Sequence, residues 1–595
     1  MQSKSNILTP TWDDNIQYLF SQPYWIAADR RASVGQGWID AMANYMGVGY
    51  YVYLDQYDSV KSWGPTIYHH LHARTMPLTK DLTQMWPDDA LEQFRTWANQ
   101  GYRRSASDPI IEQEVIPKPI TRPLMLRIRK NIATMSTEEL NNYRMQIEDL
   151  GATLNSPDSP WQKLAYIHTN WCLHYQEAFL FWHRVNMLYI ETLIQGPVPY
   201  WNWLSPNIAV DGNPEAGLPQ AFIDESYVHP RTGEVRPNPL RYAIAKDGSS
   251  KACVNDTTKD PSCRFVHRDP VLYTSGDNQR EARQEKLNQL LTYKQQVRDA
   301  FAIDTFSTPQ GWPGYPWGNI PVFPAPDSSY KYLGETFDGT YEQPHDNYHG
   351  WVGPDMADNA YTAFDPVFWS LHSMIDLVYE LWLRTHQAAV YTAPCSLQPF
   401  MGTSVISINE DDPRSFLFTN IGDMARDSRA LGYDFEGLPA ILQELAQDPI
   451  NSPQLYLVFS DVRCTLDSYS IDIFLNQADP MPDDAVTTNP HFVLRKTHMG
   501  MGVADEKGRC IKQGVTRTLN ATVAAKRLGI EPGTAATVSL IVTDLKTKHQ
   551  LSADEIAQIP GLPPKAVWTG QESSPPASAP PSEPPAPPRA GSCCH

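Results

Sequence analysis

The sequence predicts a mainly α-helical protein: a four-helix bundle with long loops, a helical N-terminal module and a β-rich, sandwich-like C-terminal domain. Three observations support this class. Histidines recur at helical intervals in two distant stretches, apolar residues keep a helical period around them, and the pattern changes to strand-like alternation after residue 453. At 595 residues the chain exceeds the roughly 250–300 at which single cores stop growing, so several units are expected.

Changes in pattern divide the chain into four parts. Helical spacing in WIDAMANYM and DDALEQFRTWANQGYR predicts a helical module over residues 1–115, which ends at a proline-rich segment. A helical, histidine-bearing domain follows over 116–453. Alternation in LYLVFSDV, SYSIDIFL, HFVLRK and ATVSLIVTDL predicts a β-rich domain over 454–569. Residues 570–595 form a proline-rich tail that cannot bury a core.

Local signals place further elements inside the second part. Ser136 and Glu139 predict a capping box that starts a helix ending near Leu150. Residues 207–339 are rich in Pro, Gly and Asp, apart from a helical stretch near 277–302. This segment is interpreted as an extended surface excursion that shapes access to the site.

The stretch HDNYHGWVGPDMADNAYTAFDPVFWSLHSMID offers three histidines that can converge on one metal ion. His345 and His349 are four apart, so on a helix their rings lie on one face. A second helix carries Phe368, His372 and Asp376, again at intervals of four, and can add a third imidazole from the facing side.

A second group lies upstream, in IHTNWCLHYQEAFLFWHRVNMLYIE. His174 and His183 are nine apart, which on one helix would place them on opposite faces. We therefore expect His174 on the loop or first turn before the helix that carries His183. The segment TNWCL, between His168 and His174, is short enough to be the loop that joins two helices. Two trios on four antiparallel helices predict a dinuclear metal site.

Each trio offers neutral nitrogen donors and no thiolate. Such a set suits copper, zinc, iron or nickel and leaves coordination positions open for exchangeable ligands. For any single histidine a core or surface role is the ordinary alternative, but six at these offsets argue against it. The HHLH segment at residues 69–72 has no second ligand group at zinc-like spacing and is interpreted as an ordinary helical segment.

Both stretches resemble the two copper-site signatures of the superfamily of tyrosinases, catechol oxidases and molluscan haemocyanins. The first reads H, four residues, FLFWHR, two residues, M, three residues, E; the second reads DPVFW, two residues, H, three residues, D. The resemblance also takes in PYWNW at Pro199–Trp203 and covers roughly residues 124–470. It implies a dicopper domain with two copper ions per chain, held by His168, His174, His183, His345, His349 and His372.

The resemblance also implies an oxidoreductase that uses O2. Such an enzyme hydroxylates monophenols at the ortho position and oxidises o-diphenols to o-quinones. Two alternatives stay open: a catechol oxidase or o-aminophenol oxidase without monophenol hydroxylation, and, from another class, a reversible oxygen carrier like a haemocyanin unit.

Residues beside the ligands gain roles from the same resemblance. Cys172 stands where fungal tyrosinases and haemocyanins link a sulfur to the second histidine, which implies a thioether to His174; a buried free thiol is the alternative. Glu342 resembles the acid that holds a water beside the first histidine of the second site. With the residue after that histidine, here Asp346 in place of the frequent Asn, it could accept the phenol proton. Capping of the helix is the alternative role of Asp346.

Other residues of the signatures are expected to support the site. Glu191 and Asp376 close the two signatures and, with Phe368, should orient backbone or histidine groups around the metal ions. Leu377 replaces the arginine common in the family, so the usual salt bridge is expected to be missing. Gly350 is expected to leave space for bulky phenols.

The C-terminal domain suggests latency. SYSIDIFL resembles the start of the domain that covers the copper entrance in latent members of the superfamily. The loop THMGMGVADEKGRC could place His498, Met499 or Met501 into the pocket as a plug, or it could be a structural loop of the β-rich domain.

The amino-acid composition limits the kinds of partner that the chain can bind. With 48 basic and 67 acidic residues the chain is acidic, which argues against nucleic acid and anionic membranes. No run of 18 apolar residues occurs and MQSKSNILTPTWDD lacks an apolar signal region, so we expect a soluble, cytoplasmic protein. Phenolic small molecules and O2 are the expected partners, and the sequence leaves a homo-oligomer open.

The cysteines do not follow a disulfide framework. Their positions are scattered, although a Cys253–Cys263 bridge stays open. The terminal Cys593, Cys594 and His595 are interpreted as a flexible, exposed thiol pair, with copper capture as the alternative.

Overall fold

The computed structural model describes residues 8–45, 52–72, 76–77, 84–113, 115–116, 126–154, 156, 159–172, 174, 179–245, 265–273, 279–306, 336–386, 424–425, 427–446, 452–500 and 515–569. Of these residues, those up to 116 together with 424–425 form one compact unit, and those from 126 to 386 and from 427 to 569 form the other. The second unit therefore contains both the histidine-bearing helices and the β-rich region. The four-part division of the sequence stays a prediction.

The first unit is helical and packs around aromatic side chains. After a π-helical turn at Trp12–Ile16, its helices are α1 (Gln17–Ser21), α2 (Arg31–Tyr45), α3 (Tyr57–Ser62), α4 (Gly64–His72) and α5 (Asp88–Asn99). Helix α5 buries Phe94 and Trp97, whose rings meet edge to face at 5.5 Å between centroids. Helices α2 and α5 lie in the stretches where helical spacing predicted them, and the HHLH segment ends α4.

The second unit begins with the helical domain. Its helices are α6 (Thr137–Asp149), α7 (Pro160–Trp171), α8 (Phe179–Ile194), α9 (Arg280–Phe301), α10 (Phe337–Val352), α11 (Pro366–Thr385) and α12 (Leu438–Leu445). The predicted capping box starts α6, because the hydroxyl of Ser136 accepts from the Glu139 N–H and the Glu139 carboxylate accepts from the Ser136 N–H. That prediction is confirmed.

Helices α7, α8, α10 and α11 form the four-helix core. Nearly every residue of α8 and of α11 is buried, polar ones included, as expected for helices surrounded by other helices. Asp365 caps the start of α11: its carboxylate accepts from the Val367 N–H, and Pro366 is the first helical residue. Arg268 donates to both oxygens of Asp365 at 2.8 and 2.7 Å. The buried position of Arg268 shows that the excursion predicted over 207–339 is not wholly at the surface.

Short strands brace this core. Strand β1 (Arg127–Arg129) pairs in parallel with β4 (Tyr433–Phe435), and β2 (Ser226–Val228) pairs antiparallel with β3 (Val235–Pro237). The first pair places Arg129 and Tyr433 against the helices, and the sequence did not predict it.

The β-rich domain is a sandwich of two antiparallel sheets. Its strands are β5 (Leu455–Val462), β6 (Tyr469–Leu475), β7 (Phe492–His498), β8 (Val515–Asn520), β9 (Val538–Asp544) and β10 (Lys565–Trp568), with the short helices α13 (Thr522–Arg527) and α14 (Ala553–Ile556). One sheet has the order β10-β5-β8 and the other β7-β6-β9. Apolar side chains of both sheets share one core. The predicted fold class is confirmed, including four strands predicted by alternation; β8 and β10 were not predicted.

Two further observations concern sequence predictions. Cys464 is disulfide-bonded, which departs from the expectation of no disulfide framework, while Cys253, Cys263 and the terminal cysteines lie outside the described residues. Within the described part of the chain, none of the helices has the length and apolar character needed to span a bilayer.

Candidate metal centre

The first histidine trio is built where helix α7 ends and helix α8 begins. His168 lies in the last turn of α7, Cys172 caps that helix, and His183 lies in the second turn of α8. His174 lies between the two helices, as its distance from His183 along the chain required. The predicted TNWCL loop is wrong in part, because residues 169–171 continue α7.

The second trio is carried by helices α10 and α11. His345 and His349 lie one turn apart on α10, and His372 comes from α11. Nε2 of His345 is 2.9 Å from Nε2 of His349 and 3.3 Å from Nε2 of His372. In the first trio, the Nε2 atoms of His183 and His168 are 3.4 Å apart.

The two trios face each other. The rings of His183 and His372 stack at 4.4 Å between centroids with 10° between planes, and those of His174 and His345 are 5.5 Å apart. Within each trio, one nitrogen per ring lies within 4.8 Å of the others. All six side chains are at most 2% exposed. The structure thus brings the six predicted ligands together in one buried site.

Hydrogen bonds define which ring nitrogen carries the proton in two of these histidines. Nδ1 of His183 donates to the Phe179 carbonyl at 2.8 Å, and Nδ1 of His349 donates to the Met356 carbonyl at 2.9 Å. A neutral imidazole protonated on Nδ1 has an unprotonated Nε2. In both rings, the Nε2 atom is the one that faces the other histidines.

Burial keeps most of these rings neutral. Together with the neighbouring rings, burial lowers the pKa well below its ordinary value in His168, His183, His345 and His372. The pKa of His349 falls to about 3, again chiefly through burial. Neutral rings are the form that binds a metal ion, because a proton would occupy the donor lone pair.

His174 differs from the other five ligands. Burial lowers its pKa, but Cys172 and the Glu342 carboxylate outweigh burial and raise the pKa to about 10. Oε1 of Glu342 lies 3.3 Å from Nδ1 of His174. A metal ion at Nε2 competes with the proton there, while Nδ1 keeps its proton and faces Glu342.

The nitrogen geometry fits a metal ion in each trio. Two nitrogen ligands ~2.0 Å from one tetrahedral ion lie about 3.3 Å apart. Three of the Nε2 separations within the trios are 2.9, 3.3 and 3.4 Å. Unprotonated nitrogens at such distances repel one another, and a cation between them removes the repulsion. The fold and the site define a dinuclear metal protein with imidazole ligands.

Comparison with known proteins identifies the family that this metal-binding domain matches. Residues 158–385 match the family model for the common central domain of tyrosinase. The match and the relatives below support a tyrosinase-like domain of the type 3 copper superfamily over these residues. A domain of this family binds two copper ions, as the sequence predicted, and the two trios have the donor atoms to hold them.

Known relatives include both oxidases and haemocyanins. The chain is 25% identical to a hemocyanin G-type (units Oda to Odg) of Enteroctopus dofleini, over 46% of this chain and 8% of that protein. It is 24% identical to a tyrosinase of Streptomyces lincolnensis, over 48% of this chain and 91% of that protein. Among solved structures, a tyrosinase of Burkholderia thailandensis aligns over 75% of this chain and 100% of its own, with 14% identity and a TM-score of 0.47. The chain spans at most 32% of the length of the first three curated relatives that it matches.

Phe368 lies between the two copper sites. Its ring centroid is 4.2 Å from that of His372 and 4.6 Å from that of His168. One apolar ring therefore contacts a ligand of each trio and keeps water away from both.

Cys172 lies beside His174. Its side chain is close enough to raise the pKa of the His174 ring, and the Cys172 sulfur lies 3.3 Å from Oδ1 of Asn359. The thioether between Cys172 and His174 stays a prediction. A linked peptide lighter by two hydrogen atoms in the copper-loaded protein would establish it.

The two predicted catalytic carboxylates lie one turn apart on α10. Glu342 contacts His174, and Oδ1 of Asp346 is 3.0 Å from Nδ1 of His345, so each trio has one ligand beside a buried carboxylate. Asp346 lies in the interior of α10, and it therefore does not cap the helix.

Glu191 and Asp376 pair with arginines, which the sequence did not predict. Arg129 donates to Oε1 of Glu191 and to Oδ2 of Asp376, both at 2.6 Å. Arg184 donates to Oδ1 of Asp376 at 2.5 Å, and the Tyr433 hydroxyl donates to Oδ2 at 2.6 Å. These acids therefore neutralise buried cations between β1, α8 and α11. Glu191 also accepts from the Val198 N–H at 2.9 Å and so orients a backbone group, one of the two roles expected.

Charge within this network outweighs burial at Asp376. Burial raises its pKa, but Arg184 and Arg129 lower it more, and the pKa lies below its ordinary value. The family's usual arginine partner is absent because Leu377 stands in its place. Arg129 of β1 and Arg184 of α8 pair with Asp376 instead.

The predicted plug residues have mixed outcomes. His498 is the last residue of β7, and its ring hydrogen-bonds the backbone of Arg463 in the same domain. Met499 is buried, and Met501 lies outside the described residues. The plug stays a prediction.

The space expected at Gly350 is filled. A Cβ at this position would overlap Oγ1 of Thr497 on β7. The prediction of room for bulky phenols is wrong, because the side chain of Thr497 fills the space beside Gly350.

Sequence reasoning missed the cations that surround the site. Arg517 of β8 donates to Oε2 of Glu342 at 3.0 Å, and Lys496 of β7 is buried near Asp346. The available signal was the charged residues inside the strand segments HFVLRK and VTRTLN. When both faces of a strand are covered, its charged side chains are buried whichever face they point to.

Proposed function

We propose that the chain oxidises phenols with O2, hydroxylating monophenols at the ortho position and oxidising o-diphenols to o-quinones. The observation that carries the proposal is the pair of buried carboxylates, Glu342 and Asp346, beside the two histidine trios. A phenol must lose its proton before its oxygen binds a metal ion well, and a positioned carboxylate can accept that proton. Bound copper supplies the redox chemistry with O2.

The protein side of the reaction follows from the described contacts. Glu342 and Asp346 point toward the histidines from one face of α10 and can hold the water that takes the phenol proton. Phe368 is fully buried and gives the site an apolar side against His372 and His168. The neutral rings bind two cations without a buried anion among the ligands.

Replacement of Glu342 tests this role. We expect Glu342→Gln to lower monophenol hydroxylation about 10²–10⁴-fold, because the amide cannot take a proton. Oxidation of o-diphenols should stay within a few-fold at equal copper content, because the amide keeps the volume of the side chain, although its single oxygen can accept from His174 or from Arg517 but not from both. The measurement is the initial rate with tyrosine and with catechol at matched copper content. An equal fall in both rates would show that Glu342 only supports the copper site.

One observation favours the narrower alternative, a catechol oxidase or o-aminophenol oxidase. Both oxygens of Glu342 already have partners, because Oε1 faces His174 and Oε2 accepts from Arg517. A base held in this way is less available to a monophenol. Catechol turnover without tyrosine turnover by the copper-loaded chain would select this alternative.

The oxygen-carrier alternative rests on the haemocyanin relatives. It predicts reversible O2 binding and negligible catechol turnover, whereas an oxidase consumes O2 continuously with catechol. Oxygen uptake by the copper-loaded chain separates the two classes.

We further propose that the β-rich domain makes the enzyme latent. Strand β7 packs on α10, where the Thr497 N–H donates to Oδ1 of Asn347 at 2.8 Å, and the side chain of Thr497 occupies the space beside Gly350. A domain packed so closely on a ligand-bearing helix can restrict entry of phenols.

Substitution of Gly350 tests latency. We expect Gly350→Ala to weaken this contact by about 1–3 kcal/mol, because the added methyl group overlaps Thr497. An open–closed equilibrium would then shift up to roughly 5–150-fold, with higher basal catechol oxidation and less further activation by detergent. Gly37→Ala is the control, because a Cβ there meets nothing within 4 Å. Unchanged basal activity in Gly350→Ala, together with no detergent activation of the unmodified chain, would contradict latency.

A further inference from the structure

A continuous line of polar contacts joins the β-rich domain to a copper ligand. Nδ1 of His174 lies 3.3 Å from Oε1 of Glu342, and Oε2 of Glu342 accepts from Nη2 of Arg517 at 3.0 Å. All three side chains are buried. The ligand belongs to the first trio, the carboxylate to α10, and the arginine to β8.

The local structure makes room for this arginine. A Cβ at Gly339, in the first turn of α10, would lie 2.7 Å from Nη1 of Arg517. The amide of Gln343 donates to the Thr518 carbonyl at 2.9 Å and anchors β8 one residue beyond Arg517. The guanidinium is therefore held against the start of α10, within reach of Glu342.

A second line of similar composition reaches the other trio. Nδ1 of His345 lies 3.0 Å from Oδ1 of Asp346, and Lys496 of β7 is a buried cation nearby. Burial and the Arg517 charge leave the pKa of Lys496 below its ordinary value, and the Asp346 and Glu342 carboxylates only partly oppose them. The β-rich domain thus places a basic residue near each of the two carboxylates, but only Arg517 forms a close ion pair among the described contacts.

The Arg517 cation beside Glu342 has a physical consequence for the histidine ligand. A carboxylate that accepts from the outer nitrogen of a metal-binding histidine fixes the ring's orientation and raises its basicity. A buried carboxylate keeps its charge and position only when it is paired. Without Arg517, Glu342 would lose the cation that pairs with it at 3.0 Å on the side away from His174.

We propose that Arg517 is a positioning residue for the copper centre: it holds Glu342 against His174, so that the β-rich domain helps to orient a ligand of the first copper ion. The β-rich domain is then part of the metal site as well as a cover over it. The inference rests on the copper centre and does not depend on which phenol is oxidised.

Copper retention tests the proposal without reference to activity. In the full copper-loaded chain we expect Arg517→Gln to lose copper to a competing chelator about 10–100-fold more readily than the unmodified chain. Arg517→Lys should recover most of the affinity, because the cation is retained. Gly339→Ala should weaken copper binding without changing any charge, because it displaces the guanidinium.

The matched control is Arg495→Gln. Arg495 lies in the same domain and pairs with Asp472 at 2.7 Å, away from Glu342. Equal copper affinity in Arg517→Gln and the unmodified chain, or an equal loss in Arg495→Gln, would overturn the proposal. A melting temperature within a few degrees of the unmodified chain separates lost positioning from general unfolding. Absence of phenol oxidation in all of these proteins would instead refute the proposed function and leave the copper result standing.

Discussion

Replacement of His372 by alanine should leave the chain with fewer than two copper ions and without phenol oxidation. His372 is the only member of its trio that comes from α11, and its ring stacks on His183 of the facing trio. Loss of an outer partner of a metal ligand costs about 10–100-fold in affinity, and loss of the ligand itself should cost more. Copper content after dialysis against a weak chelator, measured by mass spectrometry of the metal, gives the result.

His386→Ala is the control for this experiment. His386 caps the end of the same helix, and its ring stacks on Trp382 instead of facing the trios. We expect two copper ions per chain to remain in this variant. Retention of both ions in His372→Ala would contradict the assignment of His372 as a ligand.

Replacement of Arg129 by methionine should destabilise the copper domain by about 3–5 kcal/mol, because removal of one partner leaves buried charges unpaired. Arg129 is fully buried and donates to Glu191 and Asp376. Its removal leaves Glu191, which is also buried, without its close ion pair: the Val198 N–H at 2.9 Å and a longer contact of 3.6 Å to Arg127 remain. Urea unfolding, followed through tryptophan fluorescence, measures the loss.

The pH dependence of stability gives this prediction a direction. The folded pKa of Asp376 lies below its ordinary value, so its contribution is present at neutral pH and is lost as the pH falls through the acidic range. In Arg129→Met this contribution should shrink, because one of the two charges that lower the pKa of Asp376 is gone. The variant should therefore lose less stability than the unmodified chain as the pH falls. The control Arg231→Met removes the ion pair between Arg231 and Asp149, whose side chains are both about half exposed. We expect little effect on the free energy of unfolding. A change of similar size in both variants would contradict the role of the buried network.

Local periodicity carried most of the successful predictions. The intervals of four between His345 and His349, and between Phe368, His372 and Asp376, require one helical face each, and α10 and α11 supply those faces. The nine-residue separation of His174 and His183 excluded a single helix and placed His174 between two. Alternation over LYLVFSDV and SYSIDIFL predicted β5 and β6 because one side of each sheet faces a shared core.

Contacts between distant segments could not be read in the same way. Arg129 meets Asp376 across 247 residues, and Arg517 meets Glu342 across 175. Nothing in the local pattern says which buried arginine pairs with which acid. The close packing at Gly350 depends on Thr497 of another domain, so a glycine beside a ligand was interpreted as open space although a side chain fills that space. Local geometry also misled at TNWCL, where three residues that could form a loop continue α7.

The central claim is that two distant trios of imidazoles bind two copper ions in one buried place. Anomalous diffraction at the copper absorption edge, from crystals of the copper-loaded chain, tests it most directly. We predict two peaks, one bounded by His168, His174 and His183 and the other by His345, His349 and His372. A single peak, or peaks that lie away from these six rings, would contradict the claim.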